Sequence, residues 1–185
     1  MDLIEIVPPD FDVDIALAYA TPDNFTGTPV YATPYCYLHR IAAEALQRAI
    51  DGAAALGLRF LIFDAFRPSE AQWVLWNHTP DPDFLADPRR GSPHSRGVAV
   101  DLTLIDAAGN PLDMGTGFDA FTPLSHHGNR DIAADAQRNR LLLLGLMTDA
   151  GWDFYRNEWW HYQLFNSRDY TLVSDAELPY PMMPG

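Results

Sequence analysis

The segment Ser92-Pro93-His94-Ser95-Arg96-Gly97-Val98-Ala99-Val100-Asp101, near the middle of the chain, decides the fold. From Val98 onward it has the alternation of a β-strand, with Val98, Val100, Leu102 and Leu104 on the core face. Asp101 then lies in mid-strand on the opposite face, where a half-buried carboxylate needs a partner that keeps it charged. His94 comes seven residues earlier, on the approach to the same strand. The segment therefore predicts a central strand that presents Asp101 and His94 together.

A second segment, Glu158-Trp159-Trp160-His161, opens an apolar and aromatic run near the end of the chain. With His94 and Asp101, His161 completes a set of nitrogen and oxygen ligands for a divalent metal, most simply zinc with its fourth position open for water. Glu158 stands three residues before His161, where it is placed to take a proton from that water. The pattern is not the helical HExxH motif. The alternative is that the two histidines are unrelated core residues.

The composition narrows the class of function. The 185 residues suffice for one domain with a core and are too few to expect two. The net charge of −13 argues against binding nucleic acid or an anionic membrane surface. Cys36 is the only cysteine, which excludes an intramolecular disulfide and a cysteine metal site. Residues 1–39 contain no arginine or lysine and no long apolar run, so we expect a cytoplasmic protein.

Hydrophobic periodicity predicts the order of the structural elements. Helices are expected over residues 38–56, 69–77 and 131–150, a buried strand over 58–63, and a hairpin of strands 152–155 and 159–165. The arrangement predicts a single α+β domain, 1–185, whose central sheet is largely antiparallel, with helices on one face and the metal site on the other. Residues 1–36 are expected to form an extended arm, and residues 178–185 a loosely attached tail. Strand order and oligomeric state stay open.

Several blocks of sequence, in the same order along the chain, resemble one known family. They are Tyr19-Ala20-Thr21 with Asp23-Asn24-Phe25-Thr26-Gly27, Phe66-Arg67-Pro68, Ser92-x-His94-x-x-Gly97-x-Ala99-x-Asp101, Met114-Gly115 with Phe118-Asp119 and Ser125-His126-His127, and Glu158-x-Trp160-His161. Together they resemble the zinc D-Ala-D-Ala peptidases, in particular the VanX-type dipeptidases. The resemblance implies one zinc ion per chain and hydrolysis of the small dipeptide D-Ala-D-Ala to two D-alanines, in peptidoglycan metabolism or glycopeptide resistance.

Arg67 leaves a predicted strand at a turn that Pro68 restricts. Its guanidinium could form a salt bridge with Asp64 or another acid, or it could polarise the scissile carbonyl and stabilise the oxyanion. The resemblance implies the second role, because the family has its transition-state arginine at the matching position. Arg67 and Glu158 are therefore the predicted catalytic residues.

The resemblance also implies three substrate-binding residues, Tyr19, Ser92 and Asp119. Asp119 would hold the ammonium group of a free dipeptide and so exclude longer chains. From the residues alone, Tyr19 could be a core aromatic, Ser92 could cap a turn, and Asp119 could be an exposed acid of a loop.

Two other functions stay open. A carboxypeptidase that trims longer peptidoglycan peptides would act on acyl-D-Ala-D-Ala. A zinc-stabilised binding module would not catalyse at all, but such a module needs neither Glu158 nor Arg67, and a structural zinc site usually has four protein ligands.

Overall fold

Strand β5 lies at the centre of a five-stranded sheet in the computed structural model, which describes residues 2–185. The strands, in chain order, are β1 Leu3–Glu5, β2 Val13–Ile15, β3 Tyr37–His39, β4 Arg59–Asp64, β5 Ala99–Ile105, β6 Trp152–Phe154 and β7 His161–Leu164. The sheet has the order β2-β4-β5-β7-β6, while β1 and β3 form a separate antiparallel pair. Only β2 and β4 are parallel, so the predicted largely antiparallel α+β fold is confirmed.

The register of β5 with its neighbouring strands places polar and ionisable residues side by side. All seven residues of β5 are buried, and β4 and β7 pair with its two edges. Val100, Leu102 and Leu104 enter the main hydrophobic core, as their alternation predicts. Asp101 pairs with Asp64 of β4 on one side and with His161 of β7 on the other. Directly opposed residues of neighbouring strands lie on the same face, so the ends of three strands supply one site.

The helices are α1 Arg40–Ala54, α2 Ser69–His78 and α3 Ala134–Asp149, close to the predicted bounds. Helix α1 begins two residues later than predicted because residues 37–39 pair with β1 as strand β3. Helices α1 and α3 pack into the main core with the sheet, as expected. Helix α2 departs from this layer and contributes Ala71 and Leu75 to a second apolar cluster. Of the described helices, none combines the length and the apolar character that crossing a bilayer requires.

The C-terminal residues 178–185 correct the prediction of a loose tail. Leu178 and Met182 are buried in the second cluster. The carbonyl oxygen of Met182 also accepts backbone hydrogen bonds from Ala32 at 2.7 Å and Thr33 at 3.2 Å. Because these partners lie in the N-terminal arm, the composition of residues 178–185 alone does not indicate that they are anchored.

We expect Met182→Ala to lower the free energy of unfolding by about 2–5 kcal/mol, because it removes a fully buried side chain from a packed cluster. Urea denaturation followed by tryptophan fluorescence measures the change. Met183→Ala is the matched control, since Met183 is only partly buried. Equal effects of the two substitutions would contradict the anchoring of the C-terminus.

Candidate metal and catalytic site

The three predicted metal ligands converge on one point. His94 Nε2 lies 3.1 Å from His161 Nδ1 and 3.4 Å from Asp101 Oδ1, and the last two atoms are 3.1 Å apart. Tetrahedral zinc with bonds of 2.0–2.1 Å requires its ligand atoms to be about 3.3 Å apart. The spacing therefore fits one face of a zinc tetrahedron. The two histidines are therefore neighbours in the fold, which favours the metal site over the alternative of two unrelated core residues.

Outer hydrogen bonds fix which nitrogen of each imidazole faces this point. His94 Nδ1 donates to the carbonyl oxygen of Ala65 at 2.6 Å, and His161 Nε2 donates to Gln163 Oε1 at 3.1 Å. The inward nitrogens therefore carry lone pairs. The third inward atom, Asp101 Oδ1, belongs to a carboxylate group, which in its ionised form acts only as an acceptor. Three electron-pair donors thus face one another, an arrangement that suits a divalent cation.

Gln163 was missed by the sequence analysis, although the two-residue period of a strand puts it on the same face of β7 as His161. We expect Gln163→Leu to weaken metal affinity about 10- to 100-fold, since it removes the hydrogen-bond acceptor that orients the predicted ligand His161. Competition with a chromogenic chelator measures the affinity. Gln47→Leu, on α1 where Gln47 bonds Asp51 at the surface, is the control. Unchanged affinity in Gln163→Leu would show that the hydrogen bond does not orient the ligand.

Glu158 is buried beside the ligands, with Oε2 at 3.9 Å from His161 Nδ1. It lies in the turn between β6 and β7, where strict strand alternation does not separate it from His161. Burial, with the charges of Asp101 and Asp119, raises the pKa of Glu158 well above its ordinary value. A carboxyl group with a raised pKa suits proton transfer near neutral pH.

Arg67 forms the salt bridge with Asp64 that the sequence allowed as a structural role, and it also lines the site. Its Nε donates to Asp64 Oδ2 at 2.9 Å, and its Nη1 donates to Gln72 Oε1 at 2.8 Å. Its Nη2 forms an ion pair with the same oxygen of Asp64 at 2.8 Å. Nη2 also lies 3.6 Å from Asp101 Oδ2. A guanidinium carries more N–H donors than these partners use, so donors remain for the site. Gln72, on α2, and Tyr31, whose hydroxyl donates to Asp64 Oδ1 at 2.8 Å, were both missed.

Tyr19 and Asp119 form a second polar pair near Arg67. The Tyr19 hydroxyl donates to Asp119 Oδ2 at 2.9 Å, and the guanidinium carbon of Arg67 is 5.0 Å from the centre of the Tyr19 ring. Asp119 adopts the left-handed conformation, with φ of 56°. Burial and the charge of Asp101 raise the pKa of Asp119 to about 8. Asp119 is therefore not the fully exposed loop acid that the sequence alone would allow.

Ser92 caps the short helical turn that carries His94. Its Oγ accepts a hydrogen bond from the backbone N–H of His94 at 3.2 Å. This is the turn-capping role that the sequence also allowed. Because the oxygen acts as acceptor here, the hydroxyl proton stays available to a ligand.

One cavity of about 400 Å³ joins these side chains. It is lined by every residue predicted for the site: Tyr19, Arg67, Ser92, His94, Asp101, Asp119, Glu158 and His161. Its volume lies in the range of small-molecule sites. The arrangement provides metal ligands, an unusually basic carboxylate and a cationic hydrogen-bond donor around one small ligand.

Most of this chain is similar in sequence to known proteins. The family model Peptidase_M15, described as D-ala-D-ala dipeptidase, matches residues 1–177. The D-alanyl-D-alanine dipeptidase of Escherichia coli is 45% identical over 175 residues, which cover 95% of this chain and 89% of that protein. The D-alanyl-D-alanine dipeptidase of Enterococcus faecalis is 35% identical over 169 residues, which cover 80% of this chain and 84% of that protein.

Among solved structures, the LdcB LD-carboxypeptidase resembles this fold with a TM-score of 0.53. The alignment covers 91% of this chain and 70% of that chain at 17% sequence identity. At this identity the likeness concerns the fold alone.

Proposed function

Because the chain belongs to the D-Ala-D-Ala dipeptidase family of M15 metallopeptidases, we propose that it hydrolyses free D-Ala-D-Ala to two D-alanines with one zinc ion as cofactor. The observation that supports the proposal is one cavity in which three residues that could hold a metal ion meet Glu158 and Arg67. His94, Asp101 and His161 are the proposed ligands. When bound, zinc acts as a Lewis acid that polarises the substrate carbonyl and acidifies water.

Glu158 is the proposed general base. It takes a proton from the attacking water and later delivers that proton to the nitrogen of the leaving D-alanine. Its raised pKa supports both steps, because the same carboxyl must accept and release a proton within one turnover. Arg67 donates its remaining N–H groups to the oxyanion that forms as the water attacks. Held by Asp64 and Gln72, the guanidinium needs no reorganisation at that moment.

Asp119 is the proposed partner of the substrate ammonium group, and the Tyr19 hydroxyl fixes its carboxyl group. An ammonium group in contact with this carboxyl favours its ionised form. The hydroxyl of Ser92 is proposed to donate to the substrate as well. A free dipeptide supplies a cation for Asp119, whereas an acylated amine brings no charge and leaves the half-buried acid with the neutral Tyr19 hydroxyl as its partner.

The test is the release of free alanine, of either configuration, by the zinc-loaded protein from D-Ala-D-Ala, L-Ala-L-Ala and N-acetyl-D-Ala-D-Ala. We expect turnover of D-Ala-D-Ala and little of the other two. Substantial activity on the acetylated substrate would favour the carboxypeptidase alternative. Zinc-loaded protein that cleaves none of these or other small dipeptides would overturn the proposal and favour a binding module.

Asp119→Asn is expected to raise KM for D-Ala-D-Ala about 10- to 100-fold, the equivalent of losing one hydrogen bond between charged groups. Initial rates over a range of dipeptide concentrations measure KM. Asp113→Asn is the matched control, because Asp113 only caps the N–H of Gly115 in the same loop. An unchanged KM in Asp119→Asn would remove Asp119 from substrate recognition.

A further inference from the structure

Arg140 is a buried arginine on α3 whose hydrogen-bond partners are all uncharged. Its Nε donates to the carbonyl oxygen of Met114 at 2.7 Å, and its Nη1 to those of Leu124 at 2.9 Å and His126 at 3.3 Å. Its Nη2 donates to Thr116 Oγ1 at 3.4 Å. One side chain thus binds four positions of one segment.

These partners lie on the two arms of the loop formed by residues 113–127, which we call the 113–127 loop. Residues 114 and 116 belong to the arm that leaves the core, and residues 124 and 126 to the arm that returns. Arg140 therefore closes the neck of a compact loop. Asp119, the proposed ammonium-binding residue, lies between the two arms.

The same neck is bonded to the turn that carries Glu158. Trp159 Nε1 donates to Thr116 Oγ1 at 2.8 Å, and the backbone N–H of Trp159 donates to the carbonyl oxygen of Ser125 at 3.1 Å. The guanidinium carbon of Arg140 also lies 5.8 Å from the centre of the Trp159 ring. Arg140 thus contacts both the loop that carries Asp119 and the turn that carries Glu158.

A cation in this position is costly. Burial lowers the pKa of Arg140 to about 10, which reflects the loss of hydration of its charged form. An apolar residue of similar length would fill the same space without burying a charge. Unlike an apolar residue, the guanidinium supplies a planar set of N–H donors that can bind several carbonyl groups at once.

We propose that Arg140 is a positioning residue that holds Asp119 and Glu158 in fixed relation to each other, and so sets the affinity for substrates with a free amine. The inference rests on the proposed function for the roles of those two acids. The connection itself is a property of the fold and can be measured without turnover.

The test compares Arg140→Met and Arg140→Lys with Arg138→Met, a control on the same helix whose exposed side chain pairs with Asp135. We expect KM for D-Ala-D-Ala to rise about tenfold in Arg140→Met, less in Arg140→Lys, and not at all in the control. KM does not depend on the fraction of active molecules. A lower rate with the wild-type KM would therefore indicate a merely structural role and overturn the proposal.

Hydrogen–deuterium exchange supplies the readout that needs no activity. We expect faster exchange in residues 113–127 and 156–159 of the Arg140 variants, with zinc content unchanged because the ligands lie on other elements. If the wild-type protein cleaves no dipeptide, the proposed function fails, while this exchange still supports or refutes the connection. Exchange equal to that of Arg138→Met overturns it.

Thr116→Val is the second route if Arg140→Met does not fold. It removes the acceptor that Arg140 and Trp159 share and keeps the side-chain volume. Faster exchange in both segments and a raised KM are expected again, and wild-type values for either quantity would refute the proposal.

Discussion

Glu158→Gln is expected to lower kcat for D-Ala-D-Ala by about 10³-fold or more while the protein still binds one zinc ion per chain. The amide has nearly the shape of the carboxyl group but cannot accept a proton from water, and general acid–base catalysis contributes about 10²- to 10⁴-fold. The proposed ligand atoms belong to other residues, so metal affinity stays close to that of the wild type. D-alanine release and metal analysis of the same sample measure both quantities.

Glu44→Gln is the matched control, because Glu44 is an exposed residue of α1. It should leave kcat and zinc content unchanged. Two results would count against the assignment of Glu158. A variant that keeps a tenth of the wild-type rate would require another base, and a variant that loses its zinc would make Glu158 a ligand.

The face on which Asp101 lies follows from the sequence, because strand alternation separates it from Val100 and Leu102 whatever the neighbouring strands are. Its pairing with His161 does not follow, because the order β4-β5-β7 depends on contacts between distant parts of the chain. From the sequence, the set of metal ligands can therefore be predicted only from residue type and family resemblance. The 3.1 Å distance between the two histidine nitrogens then comes from the fold.

The residues that support the site were harder to predict than those that line it. Gln72 and Tyr31 are ordinary polar residues of a helix and of the arm, and their role depends on a buried Asp64–Arg67 pair that sequence cannot show to be buried. Arg140 is similar, since it lies in a helix predicted only for its apolar residues. Met182 was misjudged because composition describes local preference, whereas its burial depends on residues of the N-terminal arm.

The second large effect is expected at Arg67. Arg67→Lys should lower kcat by about 10²- to 10³-fold, the usual cost of removing a preorganised oxyanion donor. A lysine keeps the charge, but its single ammonium group cannot contact Asp64, Gln72 and the cavity in the geometry of a planar guanidinium. Steady-state kinetics of zinc-loaded protein measure the change. Arg48→Lys is the control, because Arg48 donates to backbone carbonyls of Glu44 and Ala150 away from the cavity.

Measurements of stability separate the proposed catalytic role of Arg67 from its ion pair with Asp64. Arg67→Met leaves the fully buried Asp64 without its ion-pair partner, so we expect a loss of about 3–5 kcal/mol in the free energy of unfolding. Adding Asp64→Asn removes the stranded charge and keeps an acceptor for the Tyr31 hydroxyl, so much of that loss should be recovered. The double variant should nevertheless stay as inactive as Arg67→Met, because neither substitution restores a donor for the oxyanion. Recovery of turnover together with stability would mean that Arg67 serves only to neutralise Asp64, and catalysis would then need another donor in the cavity.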